Sequence, residues 1–468
     1  MILTGGWEAG LGKFGGIAML KRLYHATAFD PDRPVDSHWL ASAPPMRNAA
    51  LALDQAVTCD VAVIGGGFTG LSAAHRLAKQ YGMDVRVFDM GEPAWGASGR
   101  NGGFCCLGSA KIGFDEMRRK YGLTEAQKFA DAQRAAIDHV RSFLDDYGID
   151  ADTHSDGELL LAHRPNRVAE LKEEAAQVEK IYGVKATFYD RDGLAEIGAS
   201  GPEFHAGLQT PLGFGLHPLK YGRGLADVAI ESGATLHGHS KVTDWRWEGG
   251  RHVLRANGYR VEARSVILAT NGYSSENLPA WLGGRLLPAM SSVLVTRPLT
   301  PEERAAQGWT TDLMSADTRN LLHYFRLMPD GRFLFGGRGG SDASPDGIRK
   351  TRDWLRQSFE KMFPAWRDIP SERTWAGFVC LAYDLVPYIG PILSMPQSWA
   401  AMAYHGNGVA MGSWSGARVA DLVAGDDGVA AALPRPMTDS PKRFPFPALR
   451  TAYLKAAYVG YSIKDEWL

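Results

Sequence analysis

The chain has 468 residues, 45% of them apolar, with 51 Lys+Arg against 52 Asp+Glu. That length carries two packed domains or one large composite. The balanced charge excludes a polyanionic partner, and no basic stripe marks a nucleic-acid binder.

Residues 1–45 are punctuated by Gly, Pro and Asp, with Trp7, Tyr24 and Trp39 as isolated anchors, and read as an arm draped over the body. A literal GxGxxG at Gly10–Gly15 follows nothing that resembles a buried strand, so chance explains it better than a nucleotide. Asp60–Ile64 is a β-branched run ending directly in glycines; Thr69–Tyr81 predicts a helix, and Asp84–Asp89 a second strand, together a βαβ unit. Helices are expected over 124–147, 166–182, 218–232, 346–362 and 409–424. Strands are expected at 158–162, 234–247, 252–256, 264–269, 292–296, 321–328, 332–335 and 374–381. The Pro-rich tail predicts an extended strap. Four cysteines (Cys59, Cys105, Cys106, Cys380) lack disulfide-framework or zinc-ligand spacing, so no metal site is expected and Cys105-Cys106 reads as two buried small residues. No run of 18 apolar residues predicts a membrane span, and a cytoplasmic protein is the plain expectation.

The central signal is Gly65-Gly66-Gly67-Phe68-Thr69-Gly70. Gly65 permits the turn out of the strand, Gly67 lets backbone approach a pyrophosphate, and Gly70 allows close helix–strand packing. The helix start then offers unpaired N–H groups to phosphate. Asp89, at the end of the second strand, can accept ribose hydroxyls. This register signals a dinucleotide without separating NAD from FAD.

The next segment, Trp95-Gly96-Ala97-Ser98-Gly99-Arg100-Asn101-Gly102-Gly103, resembles the loop that runs along the FAD pyrophosphate in the D-amino-acid oxidase and glycine oxidase superfamily. Ser240–Thr243, whose valine brackets adenine in relatives, extends the resemblance. So do Val266–Tyr273 and the pair Trp375–Gly390 and Tyr404–Gly412, whose last motif faces the flavin edge in the family. Roughly residues 35–468 resemble that superfamily, and within it the gamma-glutamylputrescine oxidase-like amine oxidases. Motif and resemblance together assign to the cofactor Gly65, Gly67, Phe68, Thr69, Gly70, Asp89, Met90, Ala97, Ser98, Arg100, Asn101, Gly102 and Gly103. They add Val242, Thr270, Asn271, Gly272, Gly406, Asn407, Gly408, Val409 and Ala410.

The resemblance implies an α/β fold: a Rossmann-type FAD-binding domain (46–110, 216–285, 376–430) and a mixed or antiparallel substrate sheet (111–215, 286–375). An N-terminal arm (1–45) and a C-terminal strap (431–468) complete the expected division. It implies non-covalent FAD, because Gly377 stands where sarcosine oxidase-like relatives carry the attachment cysteine. It also implies hydride transfer from an amine to flavin N5, an imine that hydrolyses to carbonyl plus amine, and oxygen or another electron acceptor. The alternatives are a small amino-acid oxidase or dehydrogenase and a non-catalytic flavin-binding subunit. Candidate catalytic side chains are Tyr324, Arg326 and His405, with Arg326 as a possible carboxylate partner; His205 and His217 are expected at the surface. Those relatives carry a lysine two residues past the final Gly-x-Gly. Ala410 occupies that position, which predicts a longer amine than sarcosine.

Overall fold

The β-branched run Val61–Ile64 is buried in the middle of a sheet, and its neighbours on both sides run parallel to it. The computed structural model describes residues 20–33 and 35–467; Gly10–Gly15 and Trp7 lie outside them. The path of the first sheet is Tyr388–Pro391, Ser398–Met402, Tyr259–Leu268, Val57–Ile64, Val85–Phe88, Thr235–His237. All pairs along it are parallel except the Tyr388–Pro391 edge, and an antiparallel ribbon (Val242–Glu248, Arg251–Ala256) extends from Tyr259–Leu268. The near-continuous apolar strands follow from cover on both faces.

Helix Phe68–Tyr81 starts directly at the glycine turn and ends at Gly82, whose left-handed φ of 60° lets its N–H reach the Ala78 and Leu77 carbonyls. It packs against Ala410–Val423 so closely that a Cβ on Gly416 would overlap the Thr69 carbonyl oxygen. Small residues at that crossing bring both helix starts to the same end of the sheet.

The second sheet runs Ser371–Ala382, Leu286–Pro298, Arg332–Gly340, His323–Leu327, Met314–Asp317, Glu158–Leu161, Gly207–Thr210, Thr187–Tyr189. It is antiparallel apart from the parallel pair Met314–Asp317 and Glu158–Leu161, so it is the mixed sheet expected. Phe325, Phe333 and Phe335 on one face pack on Phe359, Phe363 and Trp366, so helix Pro345–Met362 seals that face. The other face, carrying Tyr324 and Arg338, turns inward.

Two expectations need correction. The Pro-rich tail 434–450 is not extended throughout, since Arg435–Thr438 is a helical turn, and beyond it Arg450–Trp467 forms an 18-residue helix. No proline follows Pro447, and the Ala- and Lys-bearing run beyond it favours a helix. Buried Asp465 anchors its end by accepting hydrogen bonds from the Asn320 and Leu321 N–H groups at 2.8 and 2.9 Å. His217 is not a surface residue. It is 3% exposed and caps helix Pro218–Glu231, its Nδ1 accepting from the Lys220 N–H at 3.2 Å.

The arm is held by its aromatics. Trp39 is buried and donates Nε1–H to the Asn101 carbonyl at 2.8 Å, the Tyr24 hydroxyl donates to Pro288 O at 2.6 Å, and Phe29 packs on Tyr273 and Phe378. No described helix is long and apolar enough to cross a membrane, and no described cluster of three His, Cys, Asp or Glu stands ready for a metal.

Candidate functional site

A cavity of about 530 Å³ runs from the glycine turn of the first sheet to the inward face of the second. Two other cavities, of about 80 and about 10 Å³, are too small for a dinucleotide.

At the first end the backbone is bare for a physical reason. Gly65 has φ +108°, and a Cβ there would lie 2.8 Å from the Ala269 carbonyl oxygen. Gly70 does not line the cavity; a Cβ on it would overlap Gly65 O, so it serves helix–strand packing. Asp89 Oδ2 accepts from the Gly66 N–H at 2.6 Å and Oδ1 from Gly91 at 2.9 Å. Burial raises its pKa while those backbone bonds oppose the rise. The carboxylate is thus fixed in position, with lone pairs left for two vicinal hydroxyls. Met90, Val242 and Thr270 line the walls around it.

Ser98 Oγ accepts from the Phe68 N–H at 2.9 Å, so it caps the first helix while its own hydrogen stays available to a phosphate oxygen. Arg100 donates Nε–H to Trp95 O at 3.0 Å and lies over the Trp95 ring. Asn101 lines the cavity, but its amide folds the loop: it donates to Ala97 O and Ser98 O and accepts from the Gly103 N–H. Leu20 and Arg22 of the arm also line this end, which the sequence did not indicate.

The second helix start lies across from the first. Tyr404 OH meets Thr69 Oγ1 at 2.8 Å, and Gly406, Asn407, Gly408 and Val409 line the wall. Ala403, His405 and Gly406 all have positive φ (65°, 54° and 111°), a backbone held by its surroundings, as functional turns often are. Phe68, Thr69, Ala97, Gly102, Asn271 and Gly408 likewise reach the cavity, whereas Gly103, Gly272 and Ala410 lie behind its wall. The methyl of Ala410 is therefore packed in the helix and opens no substrate space.

Of the three catalytic candidates, Tyr324 and His405 line the cavity and Arg326 does not. Tyr324 shares a hydrogen bond with Ser291 at 3.0 Å, and burial holds its phenol protonated. Burial presses His405 to a pKa of about 3, so it is neutral at ordinary pH. Arg326 is 1% exposed and spends its guanidinium on Gly102 O (3.1 Å), Leu216 O (2.7 Å) and His154 Nε2 (2.8 Å). Strand alternation places it on the face of Tyr324, but two residues further along, beyond the cavity rim. It is corrected from a carboxylate partner to a strut behind the loop.

The sequence missed the charges at the second end. Lys111, Glu158 and Arg338 all line it. Arg338 lies against the helix turn, its Nη2 donating to His405 O at 3.2 Å. Burial lowers Lys111 to about 7, with Arg338 adding to the effect, and raises Glu158 to about 7, partly opposed by the Cys106 thiol. All four cysteines are free and buried.

A dinucleotide cradle joined to a second cavity end suits a dinucleotide-dependent oxidoreductase. A family model described as DAO, FAD dependent oxidoreductase, matches residues 60–422, and the chain belongs to that family. It is 29% identical over 423 residues to the gamma-glutamylputrescine oxidoreductase of Escherichia coli (strain K12), covering 88% of this chain and 94% of the relative. It is 23% identical over 383 residues to the glycine oxidase of Pseudomonas aeruginosa, covering 78% and 94%. Its fold matches the crystal structure of glycine oxidase from Geobacillus kaustophilus with TM-score 0.64, at 21% identity, over 78% of this chain and 95% of that one.

The cofactor is therefore FAD, and the Asp89 geometry gives a testable magnitude. Asp89→Ala removes the acceptor for the ribose and should weaken FAD binding by about 1.5–3 kcal/mol, the worth of hydrogen bonds to a charged group. Equilibrium dialysis of the refilled apoprotein measures it; unchanged affinity would place the ribose elsewhere.

Proposed function

We propose that the chain oxidises the C–N bond of an amine, with non-covalently held FAD taking a hydride from the α-carbon at flavin N5. The imine so formed hydrolyses to a carbonyl compound and a released amine, and oxygen or another acceptor removes the electrons. The observation that carries this reading is one continuous cavity: a dinucleotide cradle at Gly65–Asp89, a helix start at Gly408–Val409, and a substrate-sized end against the second sheet.

Hydride leaves only from an amine whose nitrogen lone pair is free, so the reacting nitrogen must be neutral. Tyr324 and Ser291 suit that need, presenting hydroxyls and no charge. The Tyr324 ring is held in place by packing directly over Gly336, where a Cβ would overlap it. The helix start at Val409–Ala410 offers fixed backbone N–H groups to negative charge arising beside it. The names of the relatives, a gamma-glutamylputrescine oxidoreductase and a glycine oxidase, support an amine or amino acid as donor.

The size of the preferred amine separates the two enzyme readings. Arg326 is unavailable to a small amino-acid carboxylate, which favours a longer amine. Anaerobic flavin bleaching with glycine, sarcosine and D-alanine against gamma-glutamylputrescine and N-alkylamines tests this. Fast bleaching by the small amino acids alone would overturn the longer-amine reading and point to Arg338 as the carboxylate partner.

Covalent attachment is tested separately. Gly377 lines the cavity with no thiol of its own, and burial raises the thiols of nearby Cys380 and Cys106, keeping them un-ionised and poorly nucleophilic. Acid precipitation should release free flavin into the supernatant. Colour retained in the washed precipitate would contradict it.

A further inference from the structure

We propose that arm residues 20–32 form a clasp across the FAD cradle, and that Arg22, carried on the clasp, pairs with the FAD pyrophosphate. The arm lies outside the part of the chain that the family model matches, residues 60–422. The inference concerns the cofactor alone, so it holds whichever amine the flavin oxidises.

The path of the arm carries the clasp. In the first sheet, Val57–Ile64 lies between Tyr259–Leu268 and Val85–Phe88, and the glycine turn leaves its end. The arm is fixed to the loops that follow both neighbours. On the Tyr259–Leu268 side, Lys21 O accepts from the Glu276 N–H at 2.9 Å and the Lys21 N–H donates to Asn277 Oδ1 at 2.9 Å. On the Val85–Phe88 side, a Cβ on Gly91 would lie 2.9 Å from Pro31 Cβ, and Asp32 Oδ1 is 3.8 Å from His239 Nδ1. Between these anchors the segment spans the crevice at the glycine turn, and Leu20 and Arg22 line the cavity there. Tyr24 and Phe29 hold the middle of the segment through Pro288, Tyr273 and Phe378, without lining that cavity.

The neighbours of Arg22 identify its ligand. On one side is Lys241, next to Val242 of the adenosine end; partial burial, then the nearby Arg22 charge, lower the Lys241 pKa. On the other side is Tyr273, whose carbonyl accepts from Arg22 Nη1 and whose ring packs on Phe378, beside Gly377. Arg22 thus sits midway along the site, and the middle of the dinucleotide is its pyrophosphate. Half-buried, Arg22 lies over the Phe29 ring at 4.6 Å, and burial lowers its pKa only to about 10, so it stays charged. Among the described residues, neither Arg22 nor Lys241 forms an ion pair. Two neighbouring cations repel each other, and a pyrophosphate between them replaces repulsion with attraction. The planar guanidinium also suits paired phosphate oxygens, and its bond to Tyr273 uses Nη1 and leaves the other edge for them.

The test reads release of FAD from the holoprotein and needs no turnover. The protein is diluted into an excess of a second, FAD-free flavoenzyme, whose regained activity reports the release rate. Arg22→Met should release FAD about 10- to 100-fold faster, the worth of a charged hydrogen bond appearing in the off-rate. Added salt should speed release from wild type and do so less for Arg22→Met, which lacks the screened pair. Arg22→Lys keeps the charge and should release at an intermediate rate, with the salt dependence of wild type. Tyr24→Phe and Phe29→Ala touch no cavity wall, and should speed release several-fold by loosening the clasp while keeping that salt dependence. Wild-type release that ignores salt overturns the pyrophosphate contact, and stands as a test even where a variant fails to fold. Arg22→Met at the wild-type rate overturns it too, as does a faster Arg22→Met with unchanged salt dependence, since Arg22 then only packs the arm. Wild-type rates in both Tyr24→Phe and Phe29→Ala overturn the clasp.

Discussion

Gly67→Val should give colourless protein that is still folded. Gly67 has φ −87°, which valine adopts without strain, so the turn itself survives. A Cβ there, however, lies 2.8 Å from Ser98 Oγ, the atom that accepts from the Phe68 N–H. Two further methyl groups push the 95–103 loop outward and project into the cavity floor, where the backbone is bare for the pyrophosphate. The expected result is loss of the flavin absorbance band with the far-ultraviolet dichroism of wild type. Gly70→Ala is the contrasting control: its Cβ would overlap Gly65 O, so it should damage folding as well as colour. Gly67→Val protein that purifies fully yellow would move the pyrophosphate away from this turn.

Arg326→Met should lose stability without changing substrate preference. The guanidinium is buried between Trp39 and Phe104, and burial alone lowers its pKa to about 9. Methionine leaves Gly102 O and Leu216 O without their donor, at about 1–3 kcal/mol for each orphaned group. A fall in the denaturant midpoint with an unchanged slope measures that loss. The ratio of flavin-reduction rates for sarcosine and a longer amine should stay at its wild-type value. A variant that selectively loses the small amino acids at wild-type stability would return Arg326 to the substrate.

The βαβ unit was legible because its signals are local: a β-branched run, glycines at the turn, a helix of small apolar residues and an acid at the next strand end. The two-sheet α/β fold was legible for the same reason, together with the family resemblance. Met314–Asp317, Gly207–Thr210 and Thr187–Tyr189 were not, since strands of three or four residues owe their pairing to partners far away in sequence. The helix Arg450–Trp467 was hidden behind the prolines that precede it. Alternation correctly placed Tyr324 and Arg326 on one face, but period two says nothing about where along a strand the cavity stops. Lys111, Glu158 and Arg338 carried no usable signal, because charged residues are ordinarily solvated and only tertiary packing turns these three toward one cavity. The one hint was Gly336-Gly337 before Arg338, a bare stretch of strand that leaves room for the Tyr324 ring.

The central claim is that an amine gives up hydride from its α-carbon to the bound flavin. Anaerobic stopped-flow with gamma-glutamylputrescine, unlabelled and deuterated at the carbon bearing the reacting amine, tests it most directly. The account predicts complete bleaching, a slower rate with deuterium, and one carbonyl product released per flavin. A flavin that stays yellow with this compound and with every other amine, while dithionite still bleaches it, would contradict it.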